Sequence, residues 1–246
     1  MLAVDEVTIP EHVYGYPDVA FGGYVAGLLA SRVADDAHLR VDFRRRVPVG
    51  TPLLVTAAES GGYALTDRDG TVLVEARGSA VTIDLPPAPT WERASTHTEA
   101  ALPTRRPTDC YGCGSYCAPG KGLRLYPSVL DDRIVAAWTP DAELARPDGT
   151  LSPENVWAAL DCPGGWAGIE LLGMPRTGAV TAALTATRFA PIRAGEDYLS
   201  YAWPIGAHGR KFTVGVAVTT ADGSPCALAE ALWIVPRSTS GAGDPN

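Results

Sequence analysis

Positive charge is in short supply in this 246-residue chain: 20 Lys and Arg stand against 28 Asp and Glu, a formal net charge of −8. Nucleic acid and anionic membrane both select basic surfaces, so neither is expected as the main partner. The run Arg44-Arg45-Arg46 is too short to reverse that balance, though it suffices to hold one phosphate-bearing ligand. Long apolar runs are missing as well. None approaches the roughly 20 residues needed to cross a bilayer, and the opening MLAVDEVTIPEH lacks a basic region followed by an apolar core, so no secretory signal is expected. Cysteine is sparse, odd in number at 5 and unevenly spaced. That fits a reducing compartment better than a disulfide scaffold, and a cytoplasmic location is the expectation. What is present is ordinary for a globular protein, with 46% hydrophobic and 20% charged residues in a length sufficient for one large or two small domains.

The stretch Asp84 to Asp109 is rich in Pro, Thr and Ala, lacks hydrophobic periodicity and has linker composition. On either side the plan repeats. In the first half, FGGYVAGLLASRVAD places Val25, Leu28, Leu29 and Val33 at helical spacing. The β-rich runs LRVDFRRRVP, TPLLVTAAES, GYALTD and TVLVEARGSAVTI follow, the last two joined by the turn DRDG at Asp67–Gly70. In the second half the strand RIVAAWTP precedes a helix within LSPENVWAALDCPGGWAGIELLG, and four β-rich runs come after it, with ADGS at Ala221–Ser224 in the place of the earlier turn. The chain therefore divides into an N-terminal unit over 1–84, a linker over 85–109, a C-terminal unit over 110–237 and a tail over 238–246 expected to be disordered.

Two segments carry candidate chemistry. In LSPENVWAALDCPGGWAG, Asp161 lies next to Cys162 and Pro163, and the proline is expected to kink or restart the helix just after the acid. Asp161 reads as a catalytic carboxylate, as the cap of a new helix with Pro163 in its first turn, which does not exclude catalysis, or as an unrelated polar contact. Ser152 before Pro153 and Glu154 reads as an N-cap with an acidic first turn. Glu170 reads as a solvated or edge carboxylate, and Cys162, with no His near it in sequence, as a small buried thiol. In FGGYVAG, Gly22 and Gly23 either permit close packing or leave backbone N–H groups at a helix start open to developing negative charge.

With its single helix per antiparallel run and these two segments, the chain resembles the hotdog fold in the double-hotdog arrangement of acyl-CoA thioesterase-like proteins. The resemblance rests on FGGYVAGLLA, VWAALDCPGGWA and the paired strand ends RRRVPVGTPL and FAPIRAGEDY. It implies an α+β fold of two tandem hotdog units, each an antiparallel sheet wrapped around one central helix. It also implies a helix motif H-G-G-x-x-x-x-L-x-D/E, whose glycine N–H faces a thioester carbonyl oxygen and whose acid is base or nucleophile. Laid on this chain the motif splits. Gly22 and Gly23 are kept, but Phe21 replaces the His and Ala30 the acid; Asp161 is kept, but Ser152-Pro153-Glu154 replace His-Gly-Gly. One composite site is implied, with Asp161, Gly22 and Gly23 catalytic and Phe21, Tyr24, Ser152, Trp157, Cys162 and Trp166 lining the substrate. Burial beside Trp157 or Trp166 is expected to raise the Asp161 pKa.

The function this implies is hydrolysis of an acyl-CoA or related acyl thioester, with no cofactor beyond the CoA of the substrate and with pairing of two double-hotdog chains as a homodimer. The alternative is a non-catalytic acyl- or CoA-binding protein. A hydratase or dehydratase is weaker, because such hotdog enzymes pair a His with an acid on a characteristic helix, and none of His12, His38, His97 and His208 sits in such a helix. Cys110, Cys113 and Cys117 form C-x-x-C-x-x-x-C, but a closed zinc site wants four ligands, the remaining candidates being His97, Cys162 and Cys226. They are read as reduced structural thiols, and no metal is assigned.

Overall fold

A computed structural model of the chain describes residues 5–33, 38–58, 61–105, 108–176 and 178–237; the tail expected to be disordered, 238–246, lies outside them. The N-terminal part contains β1 (Asp5–Thr8), the short ribbon β2 (Tyr14–Tyr16) and β3 (Val19–Ala20), and helix α1 (Gly22–Ala30). Strands β4 (Leu39–Phe43), β5 (Pro52–Ala57), β6 (Tyr63–Thr66) and β7 (Val72–Gly78) follow. Helix α2 (Trp91–Ala101) leads to β8 (Ser128–Leu130) and β9 (Arg133–Trp138), then α3 (Pro153–Ala159) and α4 (Cys162–Leu172). The chain continues with β10 (Val180–Arg188), β11 (Tyr198–His208), β12 (Lys211–Thr220) and β13 (Pro225–Ile234). The DRDG and ADGS turns join β6 to β7 and β12 to β13, each pair antiparallel.

All but β2 and β3 belong to one 11-stranded sheet, in the order β1-β5-β6-β7-β4-β10-β13-β12-β11-β9-β8. Every pairing in it is antiparallel, including the seam between the halves, where β4 meets β10 from Asp42↔Ala183 to Leu39↔Ala186. Each half thus supplies an antiparallel sheet, continuous across the seam, with α1 packed on β10 and α4 on β9, β11 and β12.

Helix α1 turns Val25 and Leu29 into the core, and each is fully buried. Its other face meets α3 at van der Waals limits. A Cβ on Gly23 would lie 2.7 Å from Ala158 Cα, and one on Gly27 would lie 2.3 Å from Glu154 Cα. When the two motif copies are aligned, 23 corresponds to 154 and 27 to 158. The two close contacts are therefore related by a pseudo-two-fold axis, as in an isologous dimer interface.

The segment of linker composition is not without secondary structure of its own. Residues 85–109 hold helix α2, capped by Thr90, whose Oγ1 accepts from Arg93 N–H. It covers the sheet with Ala94 and Thr98, one turn apart, and Thr98 Oγ1 accepts from the Ala137 N–H of β9. Trp91 packs beside that stripe, and with a threonine as its second buried member no apolar periodicity shows in the sequence.

Candidate active site

The helix predicted over 151–173 is broken in two. Pro163 has no N–H, and its ring would collide with the carbonyl four residues back, so α3 ends at Leu160. The carbonyl that this proline leaves unpaired, Ala159 C=O, accepts from the buried Ser200 hydroxyl at 3.0 Å. Pro163 then serves in the first turn of α4, which ends at Gly173 in the left-handed conformation (φ 66°). Asp161 occupies the break.

Asp161 holds the N-cap position of α4, yet its side chain makes no capping hydrogen bond. The capping role is thereby replaced by a longer-range one. Gly23 N–H, at the start of α1 in the other half, donates to Asp161 Oδ2 at 2.8 Å. Thr181 Oγ1 on β10 donates to Asp161 Oδ1 at 2.6 Å. Asp161 as a whole is 2% exposed. Burial raises its pKa to about 6, against the two donors, which favour the carboxylate; the Cys110 thiol nearby adds a smaller upward push.

Thr181 is a site residue that the sequence motif does not contain. It stands at a β-bulge in the β10–β13 pairing, between Thr181 and Ala183, where an extra residue re-aims a side chain. A Cβ added to Gly22 would lie 3.2 Å from Asp161 Oδ2 and 3.3 Å from Thr181 Oγ1, so Gly22 borders the same carboxylate. Gly22 and Thr181 are both half-buried and flank the otherwise enclosed acid. Gly22 is the first residue of α1, where a helix offers its N–H no acceptor of its own.

The remaining predicted residues are spread more widely. Phe21 is buried at the N-cap of α1, its ring 5.9 Å from that of Tyr111, and Tyr24 meets the same Tyr111 edge-on at 5.6 Å. Trp157 is buried in α3. Ser152 is occupied as the N-cap of α3, accepting from Asn155 N–H at 3.4 Å, as read from the sequence. Trp166 lies under Arg105, whose guanidinium carbon is 4.9 Å from its ring centroid. It lines a cavity of about 490 Å³ together with His97, Arg105, Glu170 and Arg176. Glu170 pairs with Arg176 at 2.7 Å, in keeping with an edge position.

The cysteine loop is not grouped as its spacing suggests. Cys110, Cys113 and Cys162 bring their Sγ atoms within 4.8 Å of one another. Cys117 instead directs its thiol at the carbonyls of Asp109 (3.4 Å) and Cys110 (3.5 Å). All five cysteines are free thiols.

No family model matches the chain, and no curated protein matches it by sequence. Solved structures do match by shape, and they define a class: proteins with the hotdog fold, many of them thioesterases with the double-hotdog arrangement. A TesB protein of Mycobacterium avium subsp. paratuberculosis superposes with a TM-score of 0.65 at 13% identity, over 95% of this chain and 93% of that one. The acyl-CoA thioesterase II TesB2 of Mycobacterium marinum gives 0.57 at 13% identity over 97% and 94%. A hotdog protein of unknown function from Alicyclobacillus acidocaldarius gives 0.56 at 14% identity over 97% of both chains. The fold is thus that of the double-hotdog proteins. Among the described residues no helix is long and apolar enough to cross a membrane.

Proposed function

We propose that the chain hydrolyses an acyl-CoA or related thioester at one composite site between its two hotdog units, with Asp161 as general base. The observation that carries this reading is the enclosed carboxylate held by donors from both halves, Gly23 N–H and Thr181 O–H. Each carboxylate oxygen has a second lone pair, so both donors can be kept while a proton is taken from water. That water would attack the thioester carbonyl carbon; the C–S bond then breaks, the thiolate takes up the proton, and an acid and a thiol leave.

The donor expected for the oxyanion is redistributed. Gly23 N–H is engaged by Asp161, which makes Gly23 a positioning residue. Gly22 N–H, one residue earlier and beside the carboxylate, is the donor left for the developing negative charge. The acyl-CoA thioesterase II of similar fold supports the substrate class.

Asp161→Asn is the experiment. It keeps the shape and an acceptor for one donor but removes the base, and thioester turnover should fall by about 100-fold or more. Turnover unchanged by this substitution overturns the reading. Tight CoA binding with no turnover in the unaltered chain would assign the non-catalytic alternative.

A further inference from the structure

We propose that Cys110, Cys113 and Cys162 form a three-thiolate site for one zinc(II) ion, which fastens the cysteine loop to the break between α3 and α4. The first support is distance. Tetrahedral zinc with Zn–S bonds of about 2.3 Å sets its sulfurs about 3.8 Å apart, and these Sγ atoms already lie within 4.8 Å of one another. A contraction of less than a bond length completes the geometry.

The second support is the construction of the loop. Cys110 to Cys113 form a tight turn closed by Gly114 N–H donating to Cys110 C=O at 2.7 Å. A Cβ on Gly114 would fall 2.6 Å from that same oxygen, so the turn requires glycine there. The Cys113 backbone N–H acts on Cys110 Sγ within the turn, and the Trp166 indole N–H and the Arg105 guanidinium both lie near enough to Cys113 Sγ to favour a thiolate there. N–H donors to sulfur and a nearby cation are the outer partners that hold metal thiolates. The three ligands and one Zn²⁺ sum to a charge of −1, which Arg105 offsets.

The third support is rigidity. Tyr111 N–H donates to Tyr14 C=O (2.8 Å), Leu123 N–H to Tyr111 C=O (2.8 Å) and Leu125 N–H to Gly112 C=O (3.0 Å). The Tyr111 hydroxyl donates to Asn155 Oδ1 of α3 at 2.6 Å. Gly112 is pressed against Cys162, where an added Cβ would come within 2.9 Å of Cys162 Cβ. The loop is thus set against α4 before any ion arrives, and little ordering entropy is left to lose on binding.

Binding is an exchange with no redox step. Three S–H bonds are replaced by three S–Zn bonds, up to three protons pass to solvent, and the fourth coordination position takes water. Neither Cys117, turned to backbone carbonyls, nor Cys226, whose thiol meets Ser224 C=O, takes part.

The test uses the full chain, purified without chelator, its thiols shown by titration to be reduced. Cobalt(II) added to the metal-free protein should give thiolate-to-metal charge-transfer absorption that saturates at one ion per chain and is displaced by zinc. X-ray absorption of the zinc form should show three sulfur neighbours and one lighter atom. Cys113→Ser and Cys162→Ser should each weaken metal binding by about 100-fold or more, since losing a ligand costs at least as much as losing an outer partner; Cys117→Ser should leave it unchanged. Should a serine variant fail to fold, zinc protection in the unaltered chain decides: alkylation should spare Cys110, Cys113 and Cys162 and still label Cys117. Absence of charge-transfer absorption in the reduced protein, absorption retained in Cys162→Ser, its loss in Cys117→Ser, or alkylation indifferent to zinc would each overturn the proposal.

Discussion

Gly23 and Asp161, 138 residues apart in sequence, are joined by a 2.8 Å hydrogen bond from a helix-start N–H to a buried carboxylate. The bond crosses between the two halves of the chain, at the point where α1 approaches α3 so closely that α1 has room only for glycine at the contact. Position and packing are therefore coupled, and the two can be separated by substitution.

Gly27→Ala tests the packing alone. Its Cβ would fall 2.3 Å from Glu154 Cα and 2.5 Å from Pro153 C=O, one helical turn away from the carboxylate contact. Forcing the helices apart should cost about 1–3 kcal/mol, read as a lower midpoint in denaturant unfolding. Unchanged stability would show that the helix crossing relaxes freely.

Thr181→Val removes one hydroxyl while keeping the branched shape. The carboxylate loses its donor to Oδ1, so its pKa should move further up and the acidic limb of the rate profile should shift to higher pH. Turnover at neutral pH should fall roughly 10-fold, in line with the loss of one hydrogen bond to a charged group. Thr181→Ser should restore both. A Val variant with an unshifted profile would place Thr181 outside the mechanism.

The Asp161 pKa of about 6 lies above its ordinary value of 3.8. As the base proposed above, the group would work when ionised, so kcat/KM should rise with pH through about 6 and level off above it. Stability runs the other way. Between pH 4 and 6 the folded chain holds a proton that the unfolded chain has released, so this group's contribution is full below about 4 and lost as pH rises through about 6. At about 1.4 kcal/mol per pH unit the loss comes to about 3 kcal/mol. Asp161→Asn should flatten both dependences; comparing urea midpoints at pH 4.5 and 7.5 for the two proteins measures the stability part.

Tyr111→Phe leaves Asn155 Oδ1 without its donor in a buried site. The expected loss is about 1–3 kcal/mol, accompanied by faster alkylation of Cys110 and Cys113 as the loop loosens. Identical labelling rates would show that the loop is held by its backbone bonds alone.

How much of this the sequence carried depends on whether a feature is local. The hairpins at DRDG and ADGS, the helix start at Gly22-Gly23 and the restart at Pro163 all follow from short-range backbone chemistry and appear where expected. Asp161 stands out in the sequence through the resemblance alone; that its carboxylate meets Gly23 N–H and caps no helix depends on the packing of the two halves. Thr181 gave no sign, because its place depends on a bulge and on pairing with a distant strand. Helix α2 was hidden by a buried stripe only two residues wide. The thiol cluster was half legible: C-x-x-C was visible, but the third sulfur comes from α4 and not from the neighbouring Cys117.

The pseudo-two-fold contact of α1 with α3 sets glycine against a side-chain-bearing residue on both sides, Gly23 with Ala158 and Gly27 with Glu154. In a dimer of identical chains each change would appear twice, and trading Gly23 for a glutamate, as its counterpart Glu154 has done, would close both clefts together. Fusion of the units into one chain lifts that restriction. One copy of the helix keeps the donor and the other the acid, and the pair survives any dilution because a covalent chain holds it.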